Sequence, residues 1–592
     1  MHTILVYPLR LYKYAEHAHR LYYSMKFLYA LILLSILPAG LFAQTQDNYP
    51  QDYFRNPLDI PISLAGNFAE CRPNHFHTGL DLKTNEKENL KVYAAADGYV
   101  SRISISHSGY GNAIYITHPN GYTTLYGHLN DFYPALQQYL VQQQYAQESW
   151  DVNLKLTANQ FPVKKGQFIA FSGTTGGSTG PHLHFEIRDT KTQHVLNAAL
   201  FGLPIVDDLP PVPKSIALYN VGSVYEQEPQ LFPLKKDGSD YTTAKPLVVN
   251  TKDIRIAVKA DDYMNGSSNT LGVYEMNLYL DDALQSSWRL NDIDFDENRY
   301  VNAFADFKLK EEDKGWYQTL FRIKGNKLSN YTFLNAADGA MDIDYTKPHE
   351  VVIELKDAAG NTSYIRFTIQ YPGNVDTATE PDCTLWTAGK ANELKTNTLS
   401  FRTDKDALYD DICLKYSEQP SSKYLSHIVQ IQDTKVPLQT YANLSLKLNK
   451  LLPFALASKL VFIHHIKAAA LPGNNPQDAA VAQYEKGWAK AEVRTFGNYY
   501  VAVDTVPPVI KSLQKTTVLT KAKNIRFTVT DNLTSVQSFR AELDGKWLRF
   551  VRSGNTYTYI FDGHCTAGKH SLDITATDEN NNKRTFHYNF TR

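Results

Sequence analysis

Three segments of this chain recur, in the same order, close to its carboxyl end. Each pair shares a pattern of alternating apolar and polar residues, and the third pair is centred on a turn rich in Asp, Asn or Gly. Alternation with a period of two predicts β-strands, and recurrence predicts that each copy is one structural unit. We therefore expect two related β-sandwich modules of immunoglobulin-like type. The paired segments are 210–216 with 507–513, 253–258 with 524–529, and 351–369 with 572–590.

The chain has 592 residues, which is too long for a single hydrophobic core. We predict a mainly β protein in which a small antiparallel-sheet domain is followed by β-sandwich modules. Between the two related sandwiches lies a further β-rich stretch whose class the sequence leaves open. The predicted parts are a leader at 1–43, a first domain at 52–205, a sandwich at 208–372 with an insertion at about 275–345, a β-rich module at 380–500 and a sandwich at 505–592.

The charge balance limits the classes of partner. There are 60 basic and 61 acidic residues, and the net charge is -1. Nucleic-acid binding needs a basic face, so we expect no nucleic-acid partner. Apolar residues make up 43% of the chain, which excludes wholesale disorder.

The amino-terminal region carries an export signal. Residues 27–43 form an apolar run that follows Lys26, contains Pro38 and Gly40, and ends before a polar stretch. This pattern is typical of a signal peptide, although Leu41 makes the cleavage site imperfect. Met25 resembles a natural start, so 1–24 could be an extension. We expect export to the periplasm or cell envelope with no stable membrane span after cleavage; the alternative is an uncleaved anchor.

Four cysteines are present, none in a Cys-x-x-Cys pair: Cys71, Cys383, Cys413 and Cys565. A zinc site built from thiolates is therefore not expected. A disulfide between Cys383 and Cys413 is possible, and four free thiols are an equally acceptable interpretation.

A pair of histidines indicates metal chemistry. His182 and His184 alternate with apolar residues, which predicts a strand on which both imidazoles share one face. His77 and Asp81 are four apart and could complete a site of about three protein ligands with one open position. Gly79 lies between them and is expected to leave room for a metal or substrate.

Three motifs in order now define a resemblance. They are NHFHTGLD at 74–81, YGHL at 126–129 and SGTTGGSTGPHLHFEI at 172–187. Together they resemble the lysostaphin/LytM-like zinc peptidoglycan endopeptidases. The resemblance implies that His77, Asp81 and His184 bind Zn²⁺. It also implies that His128 and His182 are catalytic histidines that do not bind the metal, one as general base and the other as oxyanion stabiliser or acid, in an order left open.

The implied function is that of an exported zinc metalloendopeptidase that hydrolyses peptide cross-links of bacterial peptidoglycan. Envelope proteins could bind through the β-sandwich modules. The alternatives are a catalytically latent LytM-like regulator, a cell-wall-binding or adhesion protein, and a carrier-like or phosphotransfer domain. Zinc content discriminates between the first two of these, and turnover of cross-linked wall fragments separates both from the enzyme. The His77 and Asp81 pair disfavours the last.

Several neighbouring residues have competing interpretations. His75 is a weak candidate ligand, His118 is expected to be exposed at a hairpin turn, and Tyr126 could line the site or the core. Glu186 could support a ligand or form a surface salt bridge. Residues 131–150 predict one short helix with Leu136, Tyr139 and Leu140 on one face, and we expect it to form a wall of the groove or a partial lid.

Overall fold

The computed structural model describes residues 49–373, 382–465 and 477–592. Gln51–Arg592 form one compact unit. The predicted signal peptide and the possible start at Met25 lie outside the described residues. Within the described ranges, no helix is both long enough and apolar enough to cross a membrane.

The first domain is built on a twelve-stranded antiparallel sheet with the strand order β1-β4-β12-β8-β7-β6-β10. β5, β9, β11, β13 and β22 pair with strands of this path or with one another. Its strands are β1 Leu64–Gly66, β4 Leu80–Lys83, β5 Lys91–Tyr93, β6 Gly98–Ile105, β7 Asn112–Thr117, β8 Tyr122–Phe132, β9 Val152–Lys155, β10 Pro162–Val163, β11 Phe168–Ser172, β12 His182–Asp189, β13 Val195–Leu196 and β22 Asp292–Ile293. A separate hairpin is formed by β2 Cys71–Arg72 and β3 His75–Phe76.

Two local predictions in this domain are confirmed. The predicted hairpin is β7 and β8, joined through Gly121, whose φ of 87° is readily adopted only by glycine. The predicted helix is α1, Pro134–Gln147, which buries Leu136 and Leu140. A 3-10 turn, Ala198–Phe201, closes the domain.

The region that follows forms two sheets with the orders β15-β14-β19-β23 and β16-β17-β27-β26-β20-β21-β24. The segment 275–345, predicted as an insertion, supplies strands to both sheets and also supplies β22 to the sheet of the first domain. The strands are β14 Val212–Asn220, β15 Gln230–Pro233, β16 Lys235–Asp237, β17 Asp240–Thr242, β18 Leu247–Val248, β19 Asp253–Asp261, β20 Glu275–Leu280, β21 Ala283–Arg289, β23 Gln318–Thr319, β24 Tyr331–Leu334, β25 Met341–Asp342, β26 His349–Lys356 and β27 Thr362–Gln370. The short helices are 3-10 turns Val224–Glu226 and Asn298–Tyr300, α2 Val301–Phe304 and α3 Phe307–Glu311.

The next region forms two five-stranded sheets and a short two-stranded pair. Cys383 and Cys413 form a disulfide, while Cys71 and Cys565 are free thiols. The stretch that follows Leu451 contains a short helix and then a strand. The elements are β28 Leu385–Trp386, β29 Asn392–Lys395, β30 Leu399–Thr403, β31 Ile412–Cys413, β32 Tyr416–Gln419, β33 Ile428–Ile431, β34 Pro437–Lys447, α4 Phe454–Ala457, β35 Leu460–His465, β36 Gln477–Val481, β37 Gln483–Glu485, β38 Trp488–Thr495 and β39 Gly497–Val503.

The last region is a sandwich of two four-stranded sheets that share one core. Phe527 and Tyr557 from one sheet pack into the same buried cluster as Ile574 and Phe590 from the other. The strands are β40 Val509–Ser512, β41 Asn524–Thr530, β42 Val536–Leu543, β43 Lys546–Trp547, β44 Val551–Ser553, β45 Thr556–Ile560, β46 Lys569–Asp578 and β47 Lys583–Thr591.

The recurring segments have the same strand pairing in both copies. β14 pairs antiparallel with β19, as β40 pairs with β41. β26 and β27 form a hairpin, as β46 and β47 do. The mainly β fold class is therefore confirmed, while the immunoglobulin-like topology and the domain boundaries stay predictions.

The helix of the first domain contacts the last sandwich. Tyr145 stacks on His564 with ring centroids 3.9 Å apart and meets the edge of Trp547 at 5.1 Å. Arg540 forms an ion pair with Glu148 at 2.7 Å. These contacts occupy the carboxyl end of the helix, and its expected role as a groove wall or lid stays a prediction.

We predict that Tyr145→Ala loosens this docking, because stacked aromatic rings contribute about 0.5–1.5 kcal/mol beyond the area they bury. Hydrogen–deuterium exchange should rise both in the helix and around Trp547. Gln142→Ala, at an exposed position of the same helix, is the matched control. Equal exchange in the two variants would contradict the docking role of Tyr145.

Candidate metal centre

The site is placed by the pairing of three neighbouring strands. β12 lies between β4 and β8, and its register puts His184 opposite Asp81 on one side and opposite Gly127 on the other. Residues directly opposite on paired strands project to the same face of a sheet. Leu183 and Phe185 point the other way and are fully buried. The predicted strand with both imidazoles on one face is thereby confirmed.

Three side-chain atoms converge at this point. His77 Nε2 lies 3.0 Å from Asp81 Oδ1 and 3.1 Å from His184 Nδ1. His184 Nδ1 lies 2.9 Å from the same carboxylate oxygen. All three side chains are buried. His77 and Asp81, which are four apart in the sequence, do not share a strand: His77 lies in the loop between β3 and β4, and Asp81 lies in β4.

His77 is oriented by the backbone. Its Nδ1–H donates to the carbonyl of Asn67 at 2.7 Å, which directs Nε2 at Asp81 and His184. Asn67 is in turn held by two hydrogen bonds with the backbone of Gly272, in the module that follows. The ring position of His77 therefore depends on a contact between the first domain and its neighbour.

His184 is oriented by a buried carboxylate. Its Nε2–H donates to Glu186 at 2.9 Å, and Glu186 also accepts from Arg188 and Thr78, each at 2.6 Å. Burial opposes protonation, yet the hydrogen bonds to Asp81 and Glu186 outweigh it and raise the pKa of His184 to about 9. Burial also opposes ionisation of Glu186, but the Arg188 charge and the bond from His184 lower its pKa to about 2. Glu186 thus supports the site and is no surface ion pair.

Asp81 is fixed at both oxygens. Oδ1 faces the two histidines, and Oδ2 accepts a hydrogen bond of 2.6 Å from Arg72. Burial works against the charged form, but His77 and the hydrogen bonds from the neighbouring histidines hold the pKa of Asp81 well below its usual range. Asp81 is therefore a carboxylate at neutral pH.

His128 and His182 flank the three converging atoms. The Nδ1–H of His128 donates to the Thr175 carbonyl at 2.7 Å, and that of His182 donates to the Gly180 carbonyl at 2.9 Å. Their rings are 4.7 Å apart, and His182 Nε2 lies 3.4 Å from Asp81 Oδ1. In each ring, Nε2 is therefore the nitrogen that does not bond to these backbone carbonyls.

His128 has two further distinctive properties. Its φ of 58° is uncommon for a residue that is not glycine, and such backbone conformations cluster at functional sites. Burial and the charges of His184 and His182 lower its pKa to about 3. The ring is therefore neutral at physiological pH.

The expectation that Gly79 leaves room for a metal or substrate is wrong. A side chain there would lie 2.6 Å from the Phe185 carbonyl oxygen and 2.9 Å from the His184 ring. The space beside Gly79 is filled by β12 itself, so glycine is required because two strands approach closely.

Other histidines and Tyr126 are structural. His75 is exposed and contacts the Pro73 carbonyl, outside the converging group. His118 is buried between the Asp97 carbonyl and Thr124, contrary to the expected exposure. Tyr126 is fully buried and its hydroxyl accepts from the Ala95 amide, so it belongs to the core.

Sequence reasoning missed several residues of the site. Arg188 could have been found, since it continues the even-numbered face of β12 that carries His182, His184 and Glu186. Arg72 and Asn67 carry no such signal, because Arg72 lies on the separate β2–β3 hairpin and Asn67 lies in a loop.

Comparison with known proteins gives two family matches. The model described as Peptidase family M23 matches residues 75–148 and 143–196, which contain all five site residues. The model described as Zu5-like domain matches residues 384–504. The first domain is therefore a peptidase domain of the lysostaphin/LytM-like family, as its motifs predicted.

Curated relatives and solved structures are similar to part of the chain. The DD-carboxypeptidase/endopeptidase Mpg of Neisseria meningitidis is 38% identical over 19% of this chain and 20% of its own length. The peptidoglycan DD-endopeptidase ShyC of Vibrio cholerae is 38% identical over 23% of this chain and 26% of its own. A zinc-containing peptidase from Vibrio cholerae matches 23% of this chain and 37% of its own at 27% identity, with a TM-score of 0.17. The match thus spans about a fifth to a quarter of these curated relatives.

Gly79→Ala is predicted to weaken metal binding, because the added methyl would push β12 and the His184 ring away from Asp81. Zinc content per chain, measured by atomic emission, should fall while the carboxyl-terminal modules stay folded. The control is Gly177→Ala, where a side chain would meet only ordinary van der Waals contacts. Full zinc retention in Gly79→Ala would refute the close-approach argument.

Zinc uptake at pH 7 is predicted to release about one proton, since a ligating imidazole nitrogen must be unprotonated. With a pKa of about 9, His184 carries the extra proton below that pH in the metal-free protein. Apparent zinc affinity should rise by about tenfold per pH unit from pH 7 towards 9 and then level off. Calorimetry in buffers of different protonation enthalpy measures this release, and its absence at pH 7 would contradict the assignment.

Proposed function

We propose that the chain is an exported zinc metalloendopeptidase that hydrolyses peptide cross-links of bacterial peptidoglycan. The observation that carries the proposal is the convergence of His77 Nε2, Asp81 Oδ1 and His184 Nδ1 within 2.9–3.1 Å of one another. Relatives named for peptidoglycan endopeptidase activity are similar to part of this chain, and the Peptidase family M23 model matches the residues that hold these three atoms. Because they match it over only part of their length, substrate and activity are proposed for this chain.

The three atoms fit zinc. In a tetrahedral site with bonds of about 2.0–2.1 Å, neighbouring ligand atoms lie about 3.3 Å apart, close to the spacing here. Two imidazole nitrogens and one carboxylate oxygen are a donor set that suits zinc in enzymes. Each proposed ligand is also oriented by a hydrogen bond to a second residue, as ligating groups usually are. His77 bonds to the Asn67 carbonyl, Asp81 to Arg72 and His184 to Glu186.

The remaining histidines are placed for proton transfer. When bound, zinc supplies a Lewis acid that polarises a peptide carbonyl and makes water more acidic. His128 and His182 each keep Nδ1–H on a backbone carbonyl, so Nε2 can accept a proton or, once protonated, donate one. His182 stays the more exposed of the two, and which of them acts first is left open.

The compartment and partners follow from the substrate. Peptidoglycan lies outside the cytoplasmic membrane, so the enzyme would act in the periplasm or cell envelope. The carboxyl-terminal modules would bind envelope partners or position the domain on the wall. The disulfide between Cys383 and Cys413 supports export, since such bonds persist in oxidising compartments.

The test is digestion of purified cross-linked wall fragments, followed by mass spectrometry. We predict about one zinc per chain, lost in His184→Ala. His128→Ala and His182→Ala should keep the zinc and lose roughly a hundredfold or more in rate, the usual scale for acid–base groups.

Each failure has a separate meaning. Full zinc in His184→Ala would overturn the ligand set, and near wild-type turnover in both other variants would overturn the histidine roles. A zinc-loaded wild-type protein that cleaves no cross-link would favour the latent regulator.

A further inference from the structure

Two trios of aspartates occupy equivalent positions in the two related modules. In each trio, one carboxylate oxygen from each aspartate lies within 4.8 Å of the other two. In each trio, the first aspartate lies three residues before a Pro-Pro pair. The second comes directly after a strand, which is β19 in one module and β41 in the other. The third lies at the turn of a hairpin, β26–β27 or β46–β47. The trios are Asp207, Asp262 and Asp357, and Asp504, Asp531 and Asp578.

An asparagine braces each trio in the same way. In the first module, Asn361 donates from its backbone and side chain to Asp357 at 2.8 and 2.7 Å, and from its side chain to the Asp207 carbonyl at 3.0 Å. In the second, Asn582 makes the same three bonds, to Asp578 at 2.7 and 2.8 Å and to the Asp504 carbonyl at 3.0 Å. The arrangement is thus a built feature of the module.

One oxygen in each trio lacks a partner. Asp262 is only 2% exposed, and its Oδ1 is buried with no hydrogen-bond donor among the described residues. Oδ1 of Asp531 is also buried without a donor there. No described lysine, arginine or histidine forms an ion pair with any of the six carboxylates. A buried carboxylate needs a donor, a proton or a cation, and each unpaired oxygen belongs to an aspartate that has two other carboxyl groups nearby.

From this geometry we propose that each trio binds one calcium ion. The donor set is all oxygen, which suits a hard cation and disfavours zinc. Calcium accepts carboxylate and carbonyl oxygens in flexible arrangements, whereas magnesium demands near-ideal octahedral geometry and keeps most of its water. The proposal is independent of the zinc centre, which shares no residue with either trio.

The position of the trios gives the ions a structural role. Asp207 and Asp504 lie in the segments that enter their modules, while the other members belong to the modules themselves. A bound ion therefore fastens each entering segment to the sandwich that follows. The first trio also borders a cavity of about 90 Å³ that Leu64 and Phe68 of the peptidase domain line together with Tyr274, so its ion would stiffen the junction beside the zinc centre.

The experiment is equilibrium dialysis of the full chain against radioactive calcium chloride at millimolar concentration. We expect two ions per chain, one in Asp262→Asn, one in Asp531→Asn and none in the double variant. The matched controls are Asp261→Asn, next to the first trio and 3.8 Å from Lys214, and Asp573→Asn, which pairs with His587. Both should bind two ions, as should His184→Ala, which removes only the zinc site.

Thermal unfolding of the wild-type protein provides a measurement that needs no variant. Calcium should raise the unfolding temperature by several degrees, and magnesium at equal concentration should do so far less. The competing explanation is that Asp262 holds a proton, since burial and the charges of Asp357 and Asp207 raise its pKa to about 8. No bound calcium, unchanged stoichiometry in both variants, or an equal magnesium effect would overturn the proposal.

Discussion

The pairing of β12 with β4 on one edge and β8 on the other is the constraint from which the site follows. One register places His184 opposite both Asp81 and Gly127. A shift of one residue would turn both imidazoles of β12 into the core and bring Leu183 and Phe185 to the site. The apolar side chains that alternate with the histidines therefore stabilise the geometry of the candidate metal centre, because their burial makes a one-residue shift in register costly.

The groups that orient His184 and His77 lie at different distances along the chain from these histidines. Glu186 and Arg188 extend the ligand strand itself, so the support of His184 is local. The support of His77 is remote, since the Asn67 carbonyl is positioned by hydrogen bonds to Gly272. The geometry of the peptidase domain is for this reason partly a property of the module that packs on it.

Local patterns in the sequence predicted the strands, the β7–β8 hairpin, helix α1 and the five residues brought together at the site. These features could be predicted because period-two alternation and motif order depend only on residues that are close together in the sequence. Burial of His118 depends on its contact with the Asp97 carbonyl, and the contacts of Arg72 depend on where the β2–β3 hairpin packs. No local pattern encodes either. The crowding at Gly79 was misjudged for the same reason, since the atoms that fill its space belong to β12, more than a hundred residues later. The repeat, by contrast, predicted a strand pairing that both modules share.

The docking of helix α1 on the last sandwich joins residues 392 positions apart, Glu148 and Arg540. A chain that emerges from its amino end completes the peptidase strands long before the partner of this helix exists. Tyr145 must then stay uncovered until His564 and Trp547 arrive and stack on it. The contact of helix α1 with the last sandwich thus distinguishes the completely folded chain, at one aromatic surface, from a chain whose carboxyl-terminal region has not yet been synthesised.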